Sequence, residues 1–197
     1  MRILVVRHGE SEADILHVHE GRADFHLTEK GHRQAELMAE YVGNHYRIDK
    51  IYASTLHRAV ETATHLSEKI GVPIIPDDNL MEFNNGLLAG LSWAEANEKY
   101  PKVENLPIDQ SVYGQESRVQ FRNRAETAFK RIIDENDSDA TIAIVSHGGM
   151  INQLYHVFLQ LPIESKVFFR TGDTGVHEWF LKEERYILSA NYLEHIF

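Results

Sequence analysis

Two histidines stand where short apolar runs end. Ile3-Leu4-Val5-Val6 is too brief for a helix, carries β-branched residues, and breaks abruptly into Arg7-His8-Gly9-Glu10. Far along the chain, Thr141-Ile142-Ala143-Ile144-Val145 breaks in the same way into Ser146-His147-Gly148-Gly149. In open α/β sheets, ligands bind beyond the carboxyl ends of the strands, so both histidines are expected at a crevice. As parallel neighbours, strands about 4.8 Å apart would let the two imidazoles face each other across one small pocket. Gly9 is expected to let the backbone turn sharply there.

Two arginines, Arg7 and Arg58, and one acid, Glu82, are the charged partners available to such a pocket. Histidines with arginines, without cysteine and without a histidine-carboxylate metal motif, suit a phosphoryl group. Cations neutralise its oxygens while an imidazole attacks phosphorus, and an acid protonates the leaving oxygen. Neighbouring guanidinium groups also disfavour imidazolium, which keeps the nucleophile's lone pair free. Read on its own stretch, Arg58 is a solvated arginine in the first turn of a helix, where a cation opposes the macrodipole. His17, His19 and His26 lie in an aperiodic stretch, residues 11–27, expected to be a loop over the site. His17-x-His19 lacks paired carboxylates and reads as exposed loop histidines, so no metal site is expected.

The elements that must position these residues alternate. Thr28 is a good N-cap for a helix with the apolar stripe Ala35, Met38, Ala39 and Val42. Ile51-Tyr52-Ala53-Ser54 is a second strand, and Thr55 is expected to cap a helix striped by Leu56, Ala59, Val60, Ala63, Leu66 and Ile70 and ended by Gly71. Val72 to Pro76 reads as an edge strand, because its prolines cannot serve a central ladder. Residues 77–114 lose this rhythm, apart from a short helix over Trp93 to Tyr100, and are expected to form a small cap excursion over the crevice. A longer helix from Glu116 carries Phe121, Ala125, Ala128, Phe129 and Ile132. A final helix carries Ile151, Leu154, Tyr155, Phe158 and Leu159, and Val176–Leu181 with Tyr186–Ser189 form a closing hairpin. The expected fold is α/β, a three-layer α/β/α sandwich with a mainly parallel sheet, in a single domain spanning residues 1–197.

Bulk properties narrow the partners. A formal net charge of -10 argues against nucleic acid or an anionic membrane as a partner, so an anionic substrate must be caught by local cations. The absence of cysteine excludes disulfides, thiol catalysis and thiolate metal sites. With no apolar stretch long enough to span a bilayer and no basic-then-apolar leader, the expected location is cytoplasmic.

Taken together, these segments resemble the histidine phosphatase superfamily, also called phosphoglycerate-mutase-like. Arg7-His8-Gly9-Glu10-Ser11 matches its Arg-His-Gly signature, and Ser146-His147-Gly148-Gly149 the segment of its second histidine. Tyr52-Ala53-Ser54-x-x-x-Arg58-Ala59-x-Glu61-Thr62-Ala63 looks like its arginine-bearing helix start, and Leu80 to Gly86 like its acid loop. Gly114-Gln115-Glu116-Ser117 is similar to its Gly-Gly-Glu-Ser turn, with Gln115 in place of a glycine. The resemblance implies a phosphohistidine on His8, phosphoryl oxygens held by Arg7, Arg58 and His147, and Glu82 as general acid and then base. It moves Arg58 from the surface to the site. It also implies a small phosphorylated substrate and no cofactor, and leaves a homodimer open. Phosphatases and cofactor-dependent phosphoglycerate mutases share this chemistry. Mutases tend to carry insertions that close the site against water, for which 197 residues leave little room, so hydrolysis is the expected outcome. A non-catalytic phosphate-binding module is a third reading. Asp14 stands where the family usually has a phosphate-binding asparagine. An ionised carboxylate cannot donate to a phosphoryl oxygen, so Asp14 is expected to turn out and pair with a cation such as Arg22.

Overall fold

A computed structural model describes all residues, 1–197. The two histidine-bearing runs are strands β1 (Arg2–Arg7) and β4 (Thr141–Ser146), paired in parallel with Arg7 opposite Ser146. Beside β4 lies β2 (Lys50–Ala53), followed by the edge strand β3 (Ile74–Pro76). On the far side of β1, β5 (Val176–Leu181) and β6 (Arg185–Tyr192) form the antiparallel hairpin. The sheet order is β3-β2-β4-β1-β5-β6, so the two histidine strands are central neighbours, as expected.

Because successive strand residues point to opposite faces, a continuous apolar run must be covered on both sides. Ile3, Val5, Ile142 and Ile144 bury against α5 (Arg118–Asp134) and α6 (Gly148–Phe158). Leu4, Val6, Ala143 and Val145 bury against α2 (Glu29–His45) and α3 (His57–Ile70). These are the three layers. At roughly 1.5–3 kcal/mol for each fully buried aliphatic side chain, the two cores hold the strand ends rigidly in register. A short helix α1 (Glu12–Leu16) interrupts the stretch expected to be loop, and α4 (Trp93–Lys99) occupies the expected place in residues 77–114.

Two local expectations are corrected. Thr55 does not cap α3: its hydroxyl donates to Asp78, 2.6 Å away, and the N-cap position falls on Leu56. Asp24 supplies the missing acceptor, taking the His57 N–H at 2.7 Å. Gly9 is needed for close approach rather than for a positive-φ turn. A Cβ on Gly9 would lie 2.5 Å from the Gly31 carbonyl oxygen, and one on Gly31 would lie 2.1 Å from that of Glu10. This glycine pair lets the first turn of α2 press directly on the chain that carries His8.

Behind the site, His177 on β5 is fully buried. Its Nδ1 accepts from the Asn191 N–H, and its Nε2 lies 2.9 Å from the Thr171 hydroxyl. Burial lowers its pKa to about 4. The unfolded chain takes up this proton near the ordinary value of 6.5, before the native protein does, so the contribution of His177 to stability is complete above that value and declines as pH falls to about 4. Chemical denaturation at pH 7.5 and pH 4.5 is expected to show a loss of up to roughly 3 kcal/mol from this group. A His177→Asn variant should narrow that difference.

Candidate active site

The register of β1 and β4 sets the two imidazoles side by side, with ring centroids 5.1 Å apart. His8 Nδ1 donates to the Gly9 carbonyl at 2.7 Å, which fixes the proton there and leaves Nε2 with a free lone pair. Arg58 Nε–H points at that Nε2 from 3.3 Å. The His8 ring is 1% exposed, and burial, then Arg7 and Arg58, hold its pKa well below the usual imidazole range. His147, fully buried, is held low by burial and then by Arg58, His8 and Arg7. The Ser54 hydroxyl is fully buried and has no acceptor for its hydrogen other than His147 Nε2, to which it donates at 2.7 Å while accepting from the Leu56 N–H. His147 Nδ1 then carries the proton and has no partner within the protein, a donor held in reserve.

The cations are anchored by backbone. Arg58 extends from the first turn of α3 to the carbonyls of Ala23 (3.0 Å) and Gly21 (2.8 Å). Arg7 reaches the Thr171 carbonyl and Asp173, and its Nε is buried without a partner. Thr62, one turn further along α3, accepts from the Gly9 N–H and so ties the helix to the loop that follows His8.

Glu82 enters from the far side. Its carboxylate takes two backbone N–H groups, Phe83 and Gly149, each at 2.8 Å, the latter at the N-terminus of α6. A cleft of about 270 Å³ is lined by Arg7, His8, Glu82, Gly148 and Gly149, together with Glu20 and the segment Phe168–Thr171. The structure thus gathers Arg7, His8, Arg58, Glu82 and His147 from four separate stretches. Asp14 is the exception. It is turned out, as expected, but its carboxylate accepts from the Ser11 N–H at the start of α1 rather than pairing with Arg22, whose closest acid is Glu116.

Sequence reasoning missed Glu20, Arg124 and the 168–171 wall. Arg124 donates to the carbonyls of Asn79, Met81 and Glu82 while paired with Glu116, and so holds the acid loop in shape. A charge at position 124, between Phe121 and Ala128 on the apolar stripe of α5, is a signal that could have revealed it.

The family model of the histidine phosphatase superfamily (branch 1) matches residues 3–190. This chain belongs to that superfamily. With relatives named as phosphatases as well, it is a histidine-type phosphomonoesterase, the class its residues pointed to. It is 34% identical over 159 residues to phosphoglycerate mutase-like protein 4 of Arabidopsis thaliana, covering 78% of this chain and 69% of that protein. It is 28% identical to phosphoserine phosphatase 1 of Hydrogenobacter thermophilus, over 95% of this chain and 90% of the relative. Among solved structures, a mycobacterial glucosyl-3-phosphoglycerate phosphatase in complex with VO3 superposes with a TM-score of 0.85 at 25% identity, covering 96% and 98% of the two chains. No helix is long and apolar enough to cross a membrane.

Gly149 offers a direct check on this histidine phosphatase site. A Cβ there would lie 2.4 Å from Glu82 Oε1. Gly149→Ala is expected to displace the acid and lower kcat at least tenfold, while a thermal melt shifts by only a few degrees.

Proposed function

We propose that this protein hydrolyses small phosphate monoesters through a phosphohistidine on His8. The observation that supports this most strongly is the Nδ1–H···O=C bond to Gly9, which presents an unprotonated Nε2 to the cleft that Glu82 also lines. In the first step the Nε2 lone pair forms the N–P bond as the P–O bond to the leaving group breaks, and Glu82 delivers the proton that the departing oxygen needs. Arg7, Arg58 and His147 Nδ1–H take the charge on the phosphoryl oxygens. In the second step water attacks phosphorus, Glu82 accepts its proton, and the N–P bond breaks to return free His8 and inorganic phosphate.

The relatives named for phosphoserine and for glucosyl-3-phosphoglycerate act on small, polar monoesters, and a cleft of about 270 Å³ suits a substrate of that scale. Residues 77–114 act as a cap within one domain: the backbone of His19 bonds to Leu91 and Gly90, which joins this excursion to the loop over the site. A cytoplasmic location and a homodimer are expectations from the sequence alone.

Brief exposure to a 32P-labelled aryl phosphate, followed by denaturation, is expected to leave acid-labile label on the wild-type protein and none on His8→Ala. Label trapped at another residue would refute the assignment. Glu82→Gln should cost alkyl phosphates about 10²–10⁴-fold in kcat and p-nitrophenyl phosphate far less, because a good leaving group needs no proton. A parallel assay for phosphoryl transfer between positions of phosphoglycerate is expected to find hydrolysis in excess of transfer.

A further inference from the structure

Glu20 was not anticipated in the site, and its side chain lies between the cleft and Arg58. One carboxylate oxygen accepts from the Ser11 hydroxyl at 2.5 Å and pairs with Arg58 Nε at 3.1 Å. The other lies 3.7 Å from His8 Nε2, the nitrogen that attacks phosphorus. Glu20 lines the cleft wall, whereas Arg58, fully buried, does not. An entering phosphoryl group therefore meets a resident acid at the place where its own oxygen must reach Arg58.

We propose that Glu20 is a specificity-determining residue that selects for the protonation state of the phosphoryl group, its carboxyl holding the place of one phosphoryl oxygen. The inference rests on the phosphatase reading for the identity of the ligand. When ionised, Glu20 repels a second anion and competes with it for Arg58. When protonated, it donates to a phosphoryl oxygen and completes the cradle. Its backbone is pinned, since the flanking His19 is bonded to Leu91 and Gly90 and the Glu20 carbonyl accepts from Ala23 N–H. Adjustment is therefore left to the side chain or to the proton.

The groups facing Glu20 divide in sign. Arg58 and Arg7 favour the carboxylate, and Asp14 opposes it. His8 is neutral, and Glu82 and Arg170 are the remaining ionisable side chains that line the cleft. Burial outweighs the arginines and raises the Glu20 pKa above the usual carboxylate range. A monoanionic phosphoryl group, which brings its own proton to the carboxyl, is thus admitted more readily than a dianion.

Sulfate tests this without turnover, because its charge is constant from pH 5 to pH 8. Calorimetric titration at pH 8 is expected to show Glu20→Gln binding sulfate at least tenfold more tightly than wild type, with the advantage shrinking to under threefold at pH 5. Glu20→Ala should shift affinity in the same direction, so a poorly folded Gln variant does not remove the test. Equal or weaker binding by both variants at pH 8, or an advantage that does not change with pH, would overturn the proposal. The expected sulfate pattern in a protein that hydrolyses no aryl phosphate would overturn the phosphatase reading and leave the resident carboxyl standing. Rapid hydrolysis with sulfate affinity indifferent to Glu20 would do the reverse.

Discussion

The site depends on one constraint: two buried imidazoles must stay neutral beside two guanidinium groups. Parallel pairing of β1 with β4 brings the rings within 5.1 Å, and burial with Arg7 and Arg58 keeps the proton off His8 Nε2. Each unit by which the pKa is depressed represents about 1.4 kcal/mol that the fold supplies against protonation. That energy comes from packing remote from the chemistry. The alternate residues of β1 and β4 are buried in both cores, and the Gly9–Gly31 contact fixes the loop between them and α2.

Negative charge is distributed with equal consequence. Glu82 is oriented by two backbone N–H groups, one of them at the start of α6, and its loop is held by three carbonyl bonds from Arg124. Glu20 instead takes its bonds from Ser11 and Arg58 and lies against His8. Two carboxyl groups in one cleft thus have different partners, which suits the separate roles proposed for them. The acidic whole, with a formal net charge of -10, makes the local arginines the decisive attraction for an anionic substrate.

The strands and helices were largely legible because their signals are local. β-branched runs marked β1 and β4, Thr28 and Gly71 marked helix ends, and prolines placed β3 at the edge. The histidines were legible because each follows its strand directly. Arg58 became legible only with its whole segment, since its partners Gly21 and Ala23 are more than thirty positions away. Glu20 was hidden for the same reason: nothing in an aperiodic stretch says that it folds back onto Arg58. Thr55 misled because the acceptor that α3 needed came from Asp24 through tertiary contact. Asp14 turned outward as charge repulsion required, yet it found the adjacent Ser11 rather than a cation.

The central claim is the protonation state of His8, and 15N NMR of selectively labelled histidine at pH 7 measures it most directly. His8 is expected to show a protonated Nδ1 and an unprotonated Nε2 that stays so well below the pH at which free imidazole titrates. An imidazolium at neutral pH, or a neutral ring with its proton on Nε2, would contradict the account.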